Sequence, residues 1–261
     1  MDPKMQMNYL DYNRKAWNHL VKSGNKWTQP VSDDVIEAAK AGKWSLVLTP
    51  SKSVPASWYA PAGSNVLGLA SGGGQQGPVL AAAGYNVTIF DNSPAQLDQD
   101  VEVATRHSLK LTTVQGDMAD LSVFPDESFD MVFNPCSTAF TPNVRTVYRE
   151  VARVLKPQGV FMTGFTQPFY YLFDVRLAES GIFTVKYCQP YSDLESLSEE
   201  ELKYFTDQSE PVVFGHSLED HFQGQMDAGL YMTAMYEDIW GGENPADKHF
   251  PSFVALRSVK K

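Results

Sequence analysis

The sequence predicts a doubly wound α/β fold built on a mostly parallel sheet. Over residues 65–165, segments typical of strands alternate with segments typical of helices, and this pattern implies right-handed crossovers with helices on both faces. The first predicted strand, at 65–69, runs into the consecutive glycines Gly72 to Gly74. A turn without side chains between a strand and a helix lets a nucleotide-like ligand approach the backbone closely.

Each later element carries its own signal. A helix is predicted over 78–83, because proline suits a first turn and Gly84 suits the position after the last one. Ser93 is typical of an N-cap and Pro94 of a first turn, so a second helix follows the strand at 86–91. Its apolar face is indicated by residues at helical spacing: Leu97, Val101 and Ala104.

Three more strands and one helix complete the alternating region. The strands are predicted at 111–115, 129–134 and 160–165. The helix is expected to begin at Thr141 and to end at the KPQG turn, 156–159. Its apolar residues recur every three or four positions: Val144, Val147, Val151 and Val154.

Residues 166–215 interrupt the alternation and are predicted to form a cap over the edge of the sheet. Short strands are expected at 182–187 and 211–214, with a helix between them that begins in a capping box of Ser198 and Glu201. Four segments result: an N-terminal helical segment covering the cofactor site (1–60), a cofactor-binding α/β core (61–165), the inserted cap (166–215), and a C-terminal helix with a strand pair that completes the sheet (216–261).

Composition narrows the class of protein. With 43% hydrophobic and 20% charged residues, the chain of 261 residues is predicted to be globular. A net charge of −10 disfavours a nucleic-acid partner, because such surfaces need Lys and Arg to neutralise phosphates. Cys136 and Cys188 lack metal-ligand spacing, so we expect buried free thiols and no metal. No signal peptide or membrane span is indicated, which predicts a cytoplasmic protein.

Polar residues and glycines follow the predicted strands, where parallel sheets bind ligands. They are Gly72, Asp91, Asp117 and Asn134. Gly72, Gly74 and Gly77 also satisfy the G-x-G-x-x-G pattern of dinucleotide sites, and Asp91 lies where a ribose-binding acid belongs. The glycine turn therefore indicates a nucleotide-type cofactor and leaves a nicotinamide-dependent oxidoreductase open.

Taken together, these motifs resemble class I S-adenosylmethionine-dependent methyltransferases, most closely the small-molecule branch with the quinone-biosynthesis C-methyltransferases and the type-11 methyltransferase domain. The similarity covers 64–165 and the strand pair at 229–259, and its most specific parts are NVTIFDNS, VQGDMADL and LKPQG. It implies a seven-stranded Rossmann-like methyltransferase fold whose last strand is antiparallel. The family usually has an acid where Gly68 stands and glycine where Ala70 stands.

The resemblance also implies S-adenosylmethionine as cofactor, with S-adenosylhomocysteine as product, and a set of cofactor-binding residues. The backbone amides from Ala70 to Gly74 would favour the cofactor carboxylate, and Asp91 would accept hydrogen bonds from the ribose hydroxyls. Asn92 and Met118 would flank the adenine. Asp117 would accept from its amino group, and Asn134 would lie beside the sulfonium. The full set is Ala70, Ser71, Gly72, Gly74, Asp91, Asn92, Asp117, Met118 and Asn134.

The implied activity is methyl transfer to a small, apolar or aromatic molecule by in-line displacement. A general base is needed only if the acceptor arrives protonated, and His216 is the candidate. His107 and His221 are expected at the surface. Aromatic residues are candidates for the acceptor pocket or for a cover over the cofactor: Tyr170, Tyr171, Tyr187, Tyr191, Trp17 and Trp27.

Two alternatives to this activity stay open: the oxidoreductase, and a cofactor-binding protein without turnover. The sequence NPCS at 134–137 differs from the Asn-Pro-Pro-aromatic motif of enzymes that methylate amino groups of DNA or protein glutamine. Since the stacking ring is missing, that subclass is rejected. Oligomeric state and acceptor atom are not predicted by any motif.

Overall fold

The structure is a computed structural model that describes residues 7–261, so residues 1–6 of the predicted N-terminal segment lie outside the described part. The strands are β1 (Asn65–Leu69), β2 (Asn86–Asp91), β3 (Leu111–Gln115), β4 (Phe129–Asn134), β5 (Leu155–Thr166), β6 (Tyr191–Ser192), β7 (Phe214–Gly215), β8 (Leu230–Asp238) and β9 (Phe253–Lys260). The α-helices are α1 (Tyr9–Ser23), α2 (Asp33–Lys40), α3 (Gln76–Ala82), α4 (Pro94–Arg106), α5 (Val144–Val154), α6 (Val175–Glu179), α7 (Asp193–Ser196), α8 (Glu199–Asp207) and α9 (Leu218–Asp227).

Seven strands form one sheet in the order β3-β2-β1-β4-β5-β9-β8. The first five pair in parallel, and β9 is antiparallel to both β5 and β8. This arrangement confirms the predicted Rossmann-like methyltransferase fold. Strand order reverses between β1 and β4, which is where ligands bind in open α/β sheets.

The two faces of the sheet bury separate hydrophobic clusters because successive side chains of a strand point in opposite directions. In β1, Val66 belongs to one cluster and Leu67 to the other. The first cluster continues into α2 and α3 through Ile36 and Val79. The second is dominated by α5, whose four predicted valines are each at most 1% exposed. Burial on both faces fixes the strand ends that form the site.

Several predicted boundaries shift by a few residues. Helix α5 begins at Val144, because Asn143 and not Thr141 is the N-cap and accepts from the Thr146 amide. The KPQG residues at 156–159 lie within β5 as an irregularity in its pairing with β4, and Gln158 has a φ of 65°. In α4, Val101 is 45% exposed, so the predicted apolar face is partly wrong.

The cap departs further from the prediction. Residues 182–187 form no strand beyond a single bridge between Phe173 and Val185, and of 211–214 only Phe214 enters the two-residue strand β7. Ile182 is 54% exposed and lacks the burial that would favour a strand. The capping box of Ser198 and Glu201 is confirmed at the start of α8.

Helix α1 joins the core to the cap by hydrogen bonds at several positions. Asn92, at the end of β2, donates to the Leu10 carbonyl over 2.8 Å. Asn13 exchanges two hydrogen bonds with the backbone of Val212, at 2.9 and 3.0 Å. Asn18 accepts from the Ser93 hydroxyl. Helix α1 is thus fixed across the sheet edge. Within residues 7–261, no helix is both long and apolar enough to cross a membrane.

Candidate functional site

A cavity of about 530 Å³ opens where the strand order reverses. Its lining divides according to the two halves of the sheet. The polar wall lies at the ends of β1, β2 and β3 and at the starts of the helices behind them. It consists of Ala70, Ser71, Gly72, Gln75, Gln76, Asp91, Asn92, Gln96, Asp117 and Met118.

The aromatic wall comes from the N-terminal segment, the ends of β4 and β5, the cap and the β8–β9 connection. Its aromatic side chains are Trp17, Trp27, Phe140, Tyr171, Trp240 and Phe253. Smaller residues complete it: Leu10, Asn13, Lys26, Val47 to Pro50, Pro135 to Ser137, Ala139, Thr166 and Val213.

The glycine turn shapes the centre of the polar wall. A Cβ on Gly72 would come within 2.8 Å of the Gln96 Cβ and 3.2 Å of the Asp91 Oδ2, so a side chain there would fill the cradle. Ala70, where the family usually has glycine, has a φ of 46°. This left-handed conformation costs a residue with a Cβ roughly 1–2 kcal/mol. A Cβ on Gly68 would lie 2.5 Å from the Ser71 Oγ, so the serine hydroxyl leaves no room for the family's acid.

The amides of the turn are already bound by the protein itself. The Ala70 amide donates to the Phe90 carbonyl over 2.7 Å. Gly72 donates to Asp91 Oδ2 and Gly73 to Asp100 Oδ2, each over 3.0 Å. We expected these amides to favour the cofactor carboxylate, and the structure instead pairs two of them with side-chain carboxyls.

Asp100 is a residue that our sequence analysis missed. It lies on α4, is 0% exposed, and has one carboxyl oxygen without a hydrogen-bond partner. Burial raises the pKa of its carboxyl to about 8. The missed signal is the spacing of Gln96, Asp100 and Val103, which places two polar residues on the buried stripe of the helix.

Asp91 ends β2 and faces the cavity. Its Oδ1 accepts from the Ser93 amide over 2.9 Å, while Oδ2 accepts from Gly72. Each carboxylate oxygen has a second lone pair left for a ligand. Burial raises the pKa of Asp91, and the backbone hydrogen bonds counteract that effect. Asp91 therefore holds the glycine turn and can also accept hydrogen bonds from a ligand in the cavity.

The other polar-wall residues predicted for adenine also reach the cavity. Asn92 lines it while its amide nitrogen holds Leu10. Asp117 lines it and accepts from the Ala119 amide over 3.0 Å. Met118 packs against the core cluster below α5 and lines the same space.

Two of the predicted cofactor-binding residues lie outside the cavity lining. Gly74 faces away, where a Cβ would meet the Gln99 carbonyl and Pro30, each at 3.0 Å. Asn134 is 0% exposed, and its side-chain nitrogen donates to the Leu69 carbonyl over 2.8 Å. Its oxygen accepts from the Thr163 hydroxyl over 3.0 Å. Asn134 thus ties β1, β4 and β5 together beneath the cavity, and its place beside the sulfonium stays a prediction.

His216 lines a second, smaller cavity of about 250 Å³ and not the main one. Its Nε2 lies 3.1 Å from the Thr138 carbonyl, and burial lowers its pKa. This position argues against a role as the general base. His221, expected at the surface, is 2% exposed, with its Nδ1 2.7 Å from the Tyr148 hydroxyl. The His107 side chain, also expected at the surface, is 8% exposed.

Ring contacts hold the aromatic wall together. Trp17 meets Phe140 edge to face at 5.2 Å, and Trp240 meets Phe253 at 4.6 Å. Trp27 lies 6.4 Å from Trp240. Among the tyrosines proposed for the pocket, Tyr171 is part of the wall. The other three do not line the cavity: Tyr170 packs behind the wall beside Trp240 and Phe250, and Tyr187 and Tyr191 lie in the core of the cap.

A strap formed by residues 47–50 crosses the ends of β4 and β5. The Leu48 carbonyl accepts from the Cys136 amide over 3.1 Å. It lies so close to Gly164 that a Cβ there would be 2.1 Å from the carbonyl oxygen. Asp238 fixes the far end by accepting from the Thr49 hydroxyl over 2.7 Å and from the Ser51 amide over 2.9 Å.

Cys136 is half-buried and Cys188 is exposed, so the prediction of two buried thiols is wrong for Cys188.

The polar wall fits a nucleoside-like cofactor. Ser71 and Gln96 line the cavity, and each has a buried side-chain oxygen without a hydrogen-bond partner, the Ser71 Oγ and the Gln96 Oε1. Such atoms are costly unless a ligand or water satisfies them. The volume lies within the usual range for small-molecule sites, roughly 300–1,000 Å³. In residues 7–261, no group of three His, Cys, Asp or Glu residues is placed to hold a metal ion.

Comparison with known proteins agrees with this geometry. Residues 67–163 match the family described as a methyltransferase domain. The chain is 48% identical over 250 residues to the uncharacterized methyltransferase YbaJ of Bacillus subtilis (strain 168), covering 95% of this chain and 97% of that protein. The sterol 24-C-methyltransferase erg6 of Aspergillus fumigatus is 37% identical over 102 residues, which is 38% of this chain and 27% of that protein.

Solved structures show the same fold. An S-adenosylmethionine-dependent methyltransferase from Mesorhizobium loti matches with a TM-score of 0.58 at 16% identity, over 78% of this chain and 94% of that one. The oxidoreductase and non-catalytic alternatives gain no support from these comparisons. The near full-length similarity to YbaJ, the matched domain and the sheet order together show that the chain belongs to the class I S-adenosylmethionine-dependent methyltransferase family.

Proposed function

We propose that this methyltransferase transfers a methyl group to a small, apolar or aromatic acceptor that lies against the aromatic wall. The observation that carries this proposal is the single cavity that joins the glycine turn to Trp17, Phe140 and Trp240. A cofactor bound at the polar wall and an acceptor bound at the aromatic wall would then share one enclosed space. Flat apolar molecules suit such walls, because ring faces and edges stack at small cost in conformational entropy.

The polar wall supplies the groups that would hold the cofactor. Asp91 would accept hydrogen bonds from the ribose hydroxyls through the lone pairs that Gly72 and Ser93 leave unused. Ser71, which lines the cavity, would contact the methionine part. The adenine would lie between Asn92 and Met118, with Asp117 accepting from its amino group. Gly74 and Asn134 would act indirectly, by shaping the turn and the strand ends.

When bound, S-adenosylmethionine supplies a methyl group already activated by the sulfonium. The chain then has to align the acceptor with that methyl group and to exclude water. Alignment alone contributes several kcal/mol, up to about 7–11 kcal/mol in well-oriented reactions. Trp17 and Phe140 would orient a flat acceptor, and the strap at 47–50 would close the space behind it.

The predicted division of the chain into segments is part of this proposal. The N-terminal segment contributes Trp17 and Trp27 to the cavity, and the cap at 166–215 contributes Tyr171 and Val213. We infer that both segments determine which acceptor fits. A small-molecule acceptor and a cytoplasmic location are parts of the same proposal, and the net charge of −10 disfavours a nucleic-acid acceptor.

The similarity to sterol 24-C-methyltransferases supports the cofactor-binding core and leaves the acceptor open. That match spans about a quarter of the fungal enzymes, 27% for erg6 of A. fumigatus. Most of the aromatic wall lies outside the residues matched to the methyltransferase domain, 67–163. A sterol is therefore one member of the acceptor panel and not the expected substrate.

The test has two stages. Isothermal titration with S-adenosylmethionine and S-adenosylhomocysteine, with NADH and NADPH as controls, is expected to show micromolar binding of the first two only. Release of S-adenosylhomocysteine is then followed across phenols, quinols, aromatic thiols and amines, a sterol, DNA and a protein mixture. Turnover confined to DNA or protein would contradict the small-molecule proposal, and binding without any turnover would favour a non-catalytic role.

A further inference from the structure

Asp100 lies beneath the glycine turn, on the side away from the cavity. Its Oδ2 accepts from the Gly73 amide over 3.0 Å. A Cβ on Gly77, in the first turn of α3, would be 3.0 Å from its Oδ1. The residue is fully buried and does not line the cavity. Any influence on a bound molecule must therefore pass through the turn.

Two carboxyl groups from different elements hold adjacent peptide groups of this turn. Asp91, on β2, accepts from Gly72, and Asp100, on α4, accepts from Gly73. Without Asp100, the Gly73 amide would keep only the Gln96 carbonyl, also at 3.0 Å. Gly73 has a φ of 120°, a region open to glycine, so the backbone itself restricts it little. The two carboxyl groups therefore add to the backbone hydrogen bonds of Ala70 and Gly73 in fixing the orientation of the turn.

We propose that Asp100 is a positioning residue for cofactor binding, which holds Gly73 so that Ala70, Ser71 and Gly72 present the shape that the cofactor requires. This inference rests on the cofactor site proposed above. It assigns a role to a buried acid that contacts neither cofactor nor acceptor.

The surroundings of Asp100 make that role sensitive to pH. Burial raises the pKa of its carboxyl to about 8, and the nearby charge of Asp91 adds to the effect. Helix α3 and the segment 28–31, which also pack around the turn, contain no titratable side chain. Near neutral pH the carboxyl is thus mainly protonated. Ionisation above pH 8 places a second negative charge beneath the turn and favours entry of water.

The experiment measures S-adenosylhomocysteine affinity by titration calorimetry for the wild type, Asp100→Asn and Asp100→Leu. Asp98→Asn is the matched control, because Asp98 is exposed on the same helix. Near pH 6.5, we expect Asp100→Leu to bind about tenfold more weakly, since the Gly73 acceptor is lost. Asp100→Asn retains an acceptor oxygen and is expected to bind within about twofold of the wild type.

The pH profile separates positioning from a general structural role. Between about pH 6.5 and pH 9, the wild type and Asp98→Asn are expected to lose affinity about threefold or more relative to Asp100→Asn, which cannot ionise. Wild-type affinity in Asp100→Leu, or a wild-type pH profile in Asp100→Asn, would overturn the inference. If circular dichroism shows that Asp100→Leu does not fold, the profile of Asp100→Asn decides. Absence of binding by the wild type would instead refute the proposed cofactor site.

Discussion

The polar wall and the aromatic wall of the cavity are built by different physical means. The polar wall is held by directional hydrogen bonds, in which Asp91 and Asp100 each bind an amide of the glycine turn. The aromatic wall is held by ring contacts such as Trp17 with Phe140 and by a strap that Asp238 fixes. Hydrogen bonds fix a shape within fractions of an ångström, whereas ring packing tolerates several arrangements. This difference suits the proposed division of the cavity into a cofactor site and an acceptor site.

Replacing Asp91 by alanine tests the polar wall most directly. The variant loses the acceptor of the Gly72 amide and the proposed ribose contact. We therefore expect S-adenosylhomocysteine to bind about 100-fold more weakly or worse, about 2.7 kcal/mol. Titration calorimetry gives the affinity, and Asp98→Asn is the control. A loss below about threefold would mean that the polar wall does not hold the cofactor as proposed.

Replacing Phe140 by alanine tests the aromatic wall in the same way. For an acceptor found in the screen, kcat/KM is expected to fall about tenfold, roughly 1.4 kcal/mol, while S-adenosylhomocysteine affinity stays within about twofold. Phe173→Ala, which removes a ring that packs on Phe250 outside the cavity, should leave both quantities unchanged. Equal losses in cofactor and acceptor binding would show that the two walls are not independent.

The carboxyl beneath the polar wall predicts a dependence of stability on pH. The pKa of Asp100 is about 8 in the folded protein and about 3.9 for an ordinary aspartate. Because the folded protein binds this proton more tightly than the unfolded chain does, protonation of Asp100 stabilises the fold. This contribution is complete below about pH 4 and is lost as the pH rises toward 8. Asp100→Asn escapes that loss. Urea unfolding is expected to show the variant gaining at least about 1.4 kcal/mol over the wild type between about pH 5 and pH 8.5. If the free energies of unfolding of the wild type and of Asp100→Asn changed equally with pH, this prediction would be contradicted.

Replacing Ala70 by glycine is expected to have the smallest effect, and it tests whether the turn is strained at this residue. The φ of 46° at Ala70 is strained for a residue with a Cβ, and the relief is partly offset by the greater freedom of glycine in the unfolded chain. We expect a net gain of about 0.5 kcal/mol in the free energy of unfolding, with unchanged cofactor affinity. Ala83→Gly, at a residue with an ordinary φ of −78°, should give no gain. A destabilised Ala70→Gly would mean that the turn is not strained.

The two walls also differ in how far the sequence predicted them. The polar wall follows contiguous motifs, since Gly72, Asp91 and Asp117 each lie at the end of a strand, or within three residues after it, and the apolar pattern marks that strand. Asn134 follows the same rule, yet the structure buries its amide among β1, β4 and β5. The position of a residue at a strand end predicts that it lies at the edge of the sheet. It does not predict whether the side chain points into the cavity.

The aromatic wall was harder to predict because it is assembled from residues far apart in the chain. Trp27, Leu48, Tyr171 and Trp240 meet only through tertiary packing, and no local spacing relates them. Aromatic residues of the cap look alike in sequence whether they line the cavity, as Tyr171 does, or the core of the cap. Asp100 was missed because an acid within a helix is ordinarily assigned to a solvated face.

The contact between the strap and Gly164 has a consequence for the evolution and redesign of acceptor preference. Because the Leu48 carbonyl occupies the place of a Cβ at position 164, substitutions in the strap and at position 164 cannot be tolerated independently. A substitution that adds a side chain at position 164 requires the strap to move. Because the strap lines the cavity, the shape of the proposed acceptor space changes with it. Diversity is therefore open at Pro50, which lines the cavity, only while glycine is kept at position 164.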